Sequence, residues 1–341
     1  MNSWLTDNLA CPRHHGELFL KEDTLVCPKG CQYPVVNDIP ILLLDDVSQT
    51  MDLAAASLRL ARQRNGRDDL YVESVGVTDK QKRGILELAA KKTTDIDPVV
   101  SFLIGATNGN AYKSLIGKLA EYPIPRLRLP AGGGKTLLDL GCSWGRWSIA
   151  AARKGYNVVG IDPSLGAVMA AKRVARQLGV EAAYVVGDAR FLPFKPSVVD
   201  CIFSYSVLQH LSREDAAQVV DEINRVLKPN GQSLIEMPAK FGLRCLYQQA
   251  RRGFRDGRGF EVRYWSTPEL RRLFSSRIGP TSFSVDCFFG IGLQFSDLRL
   301  MPASLKIVVQ ASECLRLASQ VFRPLVWVAD SVYVSSVKGA S

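Results

Sequence analysis

An α/β fold built on a mostly parallel sheet is what this sequence predicts, on three observations. From about residue 135 onward, short apolar runs alternate with helical stretches, the pattern of successive βαβ units. A Gly-containing turn follows the first of these runs, and acidic residues stand at or beside the ends of the first three. A stretch with Pro123, Pro125, Pro130 and then Gly132-Gly133-Gly134 breaks the chain just ahead of this half.

Composition narrows the class. With 47% hydrophobic and 22% charged residues among 341, the chain reads as an ordinary globular protein rather than a disordered one. No apolar run reaches the roughly 20 residues that span a bilayer. Met1 to Ala10 holds Asp7 and no basic leader, so a cytoplasmic protein is expected. The formal net charge of +10 favours an anionic partner (RNA, an acidic membrane surface or a phosphorylated substrate) over a neutral one, unless it marks only a basic surface. Five of the eight cysteines, Cys142, Cys201, Cys245, Cys287 and Cys314, are scattered, several within apolar runs where a thiol is a small buried hydrophobe.

Taken in order, residues 1–45 are rich in Cys, His and Pro and end in the apolar run Ile39 to Leu44. Residues 46–130 read as a helical linker or lid. Asp97-Pro98 starts a helix there, and the apolar spacing of Val99, Phe102 and Leu103 continues to Tyr122. Residues 131–341 then alternate. Strands are expected at Thr136–Leu140, Asn157–Ile161, Ala182–Val186, Val198–Tyr205 and Ser233–Met237. Helices are expected at Trp144–Arg153, Ser164–Leu178 and Arg213–Leu227, the last closed by Lys228-Pro229-Asn230-Gly231. Ser266-Thr267-Pro268-Glu269 carries the signals of a capped helix start, with strands following at Thr281–Cys287 and Ser331–Val337. Insertions at 240–265 and 290–330 complete this part, the second read as added helices.

The chemistry concentrates in Leu137-Leu138-Asp139-Leu140-Gly141-Cys142-Ser143-Trp144-Gly145-Arg146-Trp147. Gly141 and Gly145 let the backbone pass close to a ligand with no Cβ in the way. Asp162 ends the next strand, where a carboxylate can accept from both hydroxyls of a ribose, and Asp188 ends the third, where it can accept from an adenine amino group. The spacing is not the G-x-G-x-x-G of nicotinamide dinucleotide binders.

In these motifs the chain resembles the class I S-adenosylmethionine-dependent methyltransferases, especially those that modify small molecules. The resemblance covers about 135–240 clearly and the two late strands weakly. It implies a Rossmann-like sheet of seven strands, the last antiparallel, and S-adenosylmethionine as cofactor. It also implies a cofactor site in which Asp139 and Gly141 hold the methionine portion, Asp162 the ribose, and Asp188 with Ala189 the adenine, with Cys142, Trp144, Gly145 and Tyr205 around them. Ser143 departs from the family, which usually has a third glycine at this place.

A methyl acceptor with an oxygen nucleophile gains from a base. His210, the only histidine in the catalytic half, follows the fourth strand in Ser204 to Leu211 and is a candidate base or a packing residue; Tyr205 is a second candidate and more naturally lines the methyl site. Tyr112 closes over the cofactor or packs in the core.

Near the N-terminus, Cys11-Pro12-Arg13-His14 and Cys27-Pro28-Lys29-Gly30-Cys31 form two close ligand pairs suited to tetrahedral Zn²⁺. The region resembles a small zinc-ribbon family through Tyr33-Pro34 and Asp38-Ile39-Pro40. It departs from that family in having His14, with His15 as alternative, for a cysteine, and in the wider spacing of its second pair. By that resemblance Cys11, His14, Cys27 and Cys31 hold a structural zinc.

The acceptor is read from the first insertion, where Lys240, Arg244, Arg251, Arg252, Arg255, Arg258 and Arg263 interleave with Phe241, Tyr247, Phe254 and Phe260. This suits phosphates and bases, an anionic membrane surface, or a phosphorylated or lipid-linked sugar. The expected activity is methyl transfer to an oxygen of a small-molecule, glycan or lipid-linked acceptor, with peripheral membrane contact as an option. An RNA methyltransferase and a non-catalytic cofactor-binding scaffold are the alternatives.

Overall fold

The first surprise of the architecture is the width of its sheet. In the computed structural model, which describes residues 1–48, 52–63, 70–91 and 94–340, eleven strands join edge to edge. In chain order they are β1 (Phe19–Lys21), β2 (Thr24–Val26), β3 (Gln32–Val36), β4 (Ile39–Leu42), β5 (Thr136–Leu140), β6 (Asn157–Asp162), β7 (Ala183–Gly187), β8 (Val199–Ser204), β9 (Leu227–Pro238), β10 (Thr281–Cys287) and β11 (Ser331–Val337). Their spatial order is β1-β2-β3-β4-β7-β6-β5-β8-β9-β11-β10.

The expected sheet of seven strands is therefore corrected to eleven. The seven are β5 to β11, parallel except for β11, which runs antiparallel to both β9 and β10. The other four come from the N-terminal segment. Its strand β4 adds in parallel to β7, pairing Ile41 with Val186 and Leu42 with Gly187. The physical reason is visible in the run Ile39 to Leu44, which is apolar at every position except Pro40. A strand covered on both faces has that composition, and Ile41 and Leu42 are 0% and 1% exposed.

The helices are α1 (Ser3–Asn8), α2 (Leu53–Gln63), α3 (Asp79–Lys91), α4 (Pro98–Thr107), α5 (Arg146–Ala152), α6 (Leu165–Gln177), α7 (Arg213–Val226), α8 (Leu243–Arg251), α9 (Thr267–Ser275), α10 (Ala303–Ala318) and α11 (Leu325–Val328). Starts follow their caps. Asp97 accepts from the backbone N–H groups of Val99 and Val100, and Ser266 with Glu269 forms the reciprocal capping box. The helix expected to run to Tyr122 stops at Thr107, because Gly109 turns left-handed at φ +92° and a 3₁₀ turn, Asn110–Leu115, takes over. β9 begins at Leu227, ahead of the expected Ser233, so Lys228 to Gly231 belong to an irregular strand start instead of a closing loop. Of the 46–130 segment, residues 49–51, 64–69 and 92–93 lie outside the described residues.

The core forms around the sheet. Val219 and Ile223 of α7 and Leu270 and Phe274 of α9 pack with Ile202, Ile235 and Val334 in one cluster. Val168, Ala171 and Ala175 of α6 pack with Leu58 of α2 and with Tyr184 and Val186 of β7 in another. The N-terminus of α6 is held from outside the sheet as well. The Leu165 N–H donates to Ser57 Oγ at 2.9 Å and the Gly166 N–H to Ser74 Oγ at 2.8 Å. No helix among the described residues is long and apolar enough to cross a membrane.

Candidate active site

The carboxyl ends of β5, β6 and β7 open on a cleft of about 1140 Å³. Parallel α/β sheets bind ligands at that edge because backbone N–H groups and helix N-termini converge there. Gly141 shapes the turn after β5. Its φ is +77°, and a Cβ would lie 2.2 Å from Cγ2 of Val207, so only glycine fits without rearrangement. Gly145 is left-handed too, at φ +81°, with Tyr184 and Ala171 pressed against it. Ser143 takes the position where a third glycine was expected and adopts the same conformation, φ +47°. The strain of roughly 1–2 kcal/mol for a non-glycine residue is offset by its N–H, which donates to Asp162 Oδ2 at 3.0 Å.

The carboxylate of Asp162 faces the cleft and also accepts from the Ser164 N–H at 3.0 Å. Burial pushes its carboxyl up to about 6, against the lowering effect of those two backbone donors. Asp139 sits beneath the turn instead of on the cleft wall. It is 1% exposed, accepts from Ser148 Oγ at 2.6 Å, and burial pushes it up to about 7. Asp188 and Ala189 line the cleft, but the Asp188 carboxylate is gripped by Arg190, whose Nε lies 3.2 Å from both oxygens and whose second nitrogen lies 2.8 Å from Oδ2. Cys142 and Trp144 border the same space while almost fully enclosed, the Trp144 Nε1 donating to Thr107 Oγ1 of α4 at 3.1 Å. Tyr112 is 0% exposed with its hydroxyl on Asp297, a core position off the cleft.

His210 and Tyr205 both face the cleft. His210 Nδ1 donates to the Phe260 carbonyl at 2.7 Å, so the proton of the neutral ring sits there and Nε2 is the acceptor, 3.2 Å from the Gln209 amide nitrogen. The ring stacks on Phe260 with centroids 3.9 Å apart, and burial lowers its basicity below the usual histidine range. Tyr205 donates to Asp286 Oδ2 at 2.9 Å, and burial drives its hydroxyl well above the usual phenol range. It is thus a neutral donor.

Three acids that sequence reasoning missed also line this cleft: Glu236 at the end of β9, Asp286 on β10 and Asp330 ahead of β11. Glu236 is 4% exposed. Its carboxylate accepts from the Ser206 N–H and hydroxyl at 2.8 and 2.9 Å and from the Ser331 hydroxyl. Burial, aided by the neighbouring Asp286, pushes it up to about 7. Arg128 holds Asp286 at 3.1 Å from the other side. A signal existed: Glu236 and Asp286 are lone acids inside apolar strand runs, like Asp162.

At the N-terminal end, Cys11, His14, Cys27 and Cys31 come together with all ligand atoms within 4.8 Å of one another. The three Sγ atoms lie 3.7, 3.6 and 3.6 Å from His14 Nδ1. Tetrahedral Zn²⁺, with Zn–S near 2.3 Å and Zn–N near 2.0–2.1 Å, requires a separation of about 3.6 Å, so the donor set fits the ion. His15 is placed elsewhere, beside Arg225 and Glu222.

Residues 137–231 match the family described as a methyltransferase domain. Curated relatives match between 31% and 46% of the chain. A ubiquinone biosynthesis O-methyltransferase of Pseudomonas paraeruginosa is 31% identical over 150 residues, 39% of this chain and 62% of the relative. The 2-methyl-6-phytyl-1,4-hydroquinone methyltransferase of Synechocystis is 30% identical over 156 residues, 46% and 44% of the two chains. A biotin biosynthesis bifunctional protein of Cellvibrio japonicus is 40% identical over 109 residues, 31% and 20%. The chain thus spans less than two thirds of each of these relatives. Among solved structures, a S-adenosylmethionine-dependent methyltransferase of Methanosarcina mazei aligns with a TM-score of 0.45 at 20% identity, covering 65% of this chain and all of that one. The family match and the curated relatives together support a S-adenosylmethionine-dependent methyltransferase.

Proposed function

We propose that this protein transfers a methyl group from S-adenosylmethionine to an oxygen of a small-molecule, glycan or lipid-linked acceptor. One observation carries the reading: Gly141, Asp162 and Asp188, from the ends of three adjacent parallel strands, border one cleft that also reaches Tyr205 and His210. The cofactor supplies a sulfonium methyl that is already electrophilic, so the chain needs chiefly to align the acceptor.

In this reading Asp162 accepts from the ribose hydroxyls. The backbone at Gly141 closes on the methionine portion, with Asp139 bracing the turn from below through Ser148. Asp188, fixed by Arg190, and Ala189 border the adenine. On the other side, His210 takes the acceptor proton at Nε2 in place of the Gln209 amide that donates to it, while Tyr205, its proton held by Asp286, lines the methyl site with its oxygen free to accept a hydrogen bond from the acceptor. Cys11, His14, Cys27 and Cys31 hold a structural zinc that keeps the N-terminal strands in place against β7.

The relatives' names favour small molecules over RNA for the acceptor. The insertion agrees, because several of its arginines are already engaged. Arg255 pairs with Glu261 at 2.6 Å, Arg263 donates to the carbonyls of His210 and Gly259, and Arg252 covers the Tyr264 ring. The test is transfer of labelled methyl from S-adenosylmethionine into fractionated extract of the source cells, with metal analysis of the purified protein. Label in the small-molecule or lipid fraction is expected, and label in RNA would overturn the acceptor class. Bound cofactor with no label anywhere would leave a scaffold. Absence of metal, or its full retention in Cys27→Ser, would remove the zinc.

A further inference from the structure

Helix α8 exposes an apolar stripe between its arginines and its buried seam. Its buried seam is Cys245 and Gln249. Arg244, Gln248, Arg251 and Arg252 point to the cleft, which they line. Beside them runs an exposed apolar stripe: Leu243, Leu246 and Tyr247, at helical spacing, are 71%, 38% and 56% exposed, flanked by the exposed Arg244 and Arg251. Exposed leucine gains nothing from water, so a stripe of this kind flanked by arginines is suited to a contact other than bulk solvent.

The stripe does not stand alone. Gly242 packs so closely on the chain after α11 that a Cβ there would meet Asp330 Cα at 2.4 Å, and the Cys245 N–H donates to Asp330 Oδ1 at 2.9 Å. The contact lies directly after Trp327 and Val328 in the chain, which are 51% and 52% exposed. Exposed apolar side chains clustered in this way mark a contact surface.

We propose that the outer face of α8, together with the end of α11, seats the protein on an anionic lipid bilayer, with the mouth of the cleft opening at headgroup level. Charge complementarity chooses this occupant. The chain carries a formal net charge of +10, so two copies meeting at this face would bring like charges together, whereas an anionic surface attracts them. A short helix with leucines outward and tryptophan and tyrosine at its margin is what an interface a few ångströms deep accepts. Arg244 and Arg251, on the cleft side of the same helix, then stand where an anionic headgroup or a lipid-linked acceptor would enter. Docking deepens the proposed methyl transfer by naming where a lipid-borne acceptor is met, but it is measured without any acceptor.

The experiment is co-sedimentation of the full-length protein with phosphatidylcholine vesicles and with equimolar phosphatidylcholine–phosphatidylglycerol vesicles, beside light scattering in solution. Binding to the anionic vesicles is expected to be about ten-fold or more stronger and to weaken with salt. The double variant Leu243→Glu/Trp327→Glu is expected to lose about ten-fold or more of that binding while keeping the wild-type affinity for S-adenosylmethionine. Should the double variant not fold, Tyr247→Ser is expected to show a smaller loss in the same direction. No binding to either vesicle, equal binding to both, or unchanged binding by the variants would overturn the proposal. So would a dimer in solution that these substitutions dissolve, which would assign the face to a second copy. Vesicle binding without cofactor binding would leave docking standing and sink the methyl-transfer reading instead.

Discussion

The two ends of the cleft are built by different means. The end proposed to hold the cofactor comes from three consecutive strand–turn units, β5, β6 and β7, in which each proposed binding residue sits at the end of its own strand: Gly141 after β5, Asp162 on β6, Asp188 after β7. The proposed acceptor end is assembled from β8, β9, β10 and the approach to β11, joining Tyr205 to Asp286, Ser206 to Glu236 and Glu236 to Ser331 across separations of 81, 30 and 95 residues. At the first end, backbone N–H groups meet carboxylates. At the second, carboxylates meet hydroxyls and one another. The first arrangement presents fixed dipoles to a cofactor of constant shape. Both ends hold a carboxyl raised to about 7 by burial, Asp139 beneath the first turn and Glu236 at the second, but of these two only Glu236 lines the cleft, where such a group suits proton-bearing acceptors.

The sharpest way to break the comparison is at Asp162. Its carboxylate is proposed to accept from two ribose hydroxyls, each such charged hydrogen bond being worth roughly 1.5–3 kcal/mol. Asp162→Ala is therefore expected to weaken S-adenosylmethionine binding by about a hundred-fold or more in a calorimetric titration. The acceptor end should be unaffected in fold, which a circular dichroism melt would check. An unchanged affinity would mean that the cofactor end is not where the strand ends place it.

A smaller effect sharpens the other side. Glu236 has its carboxyl raised from the ordinary range to about 7, chiefly by burial. A folded-state value above the unfolded one means the folded protein holds a proton the unfolded chain has released. Stability from this group is thus present below about pH 4, lost as pH rises through about 7, and absent above. In Glu236→Gln the melting temperature is expected to fall less between pH 5 and pH 8 than in wild type, by a few degrees for a chain of this size. Parallel pH curves for the two proteins would show that Glu236 is ionised throughout and that Ser206 and Ser331 compensate it fully.

Much of this was legible in the sequence, for reasons that the comparison explains. Turns and strand ends are local: Gly141, Asp162 and Ser266 each announce themselves within a few residues, as do the strand bounds Thr281–Cys287 and Ser331–Val337. What stayed hidden is non-local. That Ile39 to Leu44 pairs with Val186 depends on an edge left open more than a hundred residues later. That Asp188 is held by Arg190, which also donates to the Ser48 carbonyl at 2.8 Å, depends on where the N-terminal segment docks. Glu236 and Asp286 were readable as acids in apolar strands, but only the order β9-β11-β10 brings them to one wall. The proposed zinc ligands lie between these cases: their spacing is local, while His14 and not His15 joins the cysteines, the chain turning left-handed at His15, φ +53°.

The last comparison turns on His210, which lines the same cleft as both ends. With Nδ1–H fixed on the Phe260 carbonyl, the ring presents Nε2 as a base, and burial keeps it neutral near pH 7. Its folded value is depressed, so the base form is lost only as pH falls below the usual histidine range. Using the acceptor fraction that takes up label, His210→Ala is expected to slow turnover by about a hundred-fold, the low end of what a positioned base contributes. Cofactor affinity should not change, and the acid limb of the kcat/KM profile should vanish with the ring. A packing role on Phe260 makes the opposite forecast: a lower melting temperature, a preserved acid limb and a rate close to wild type. The pH limb decides between them, because loosening the loop cannot remove a titration that belongs to another group.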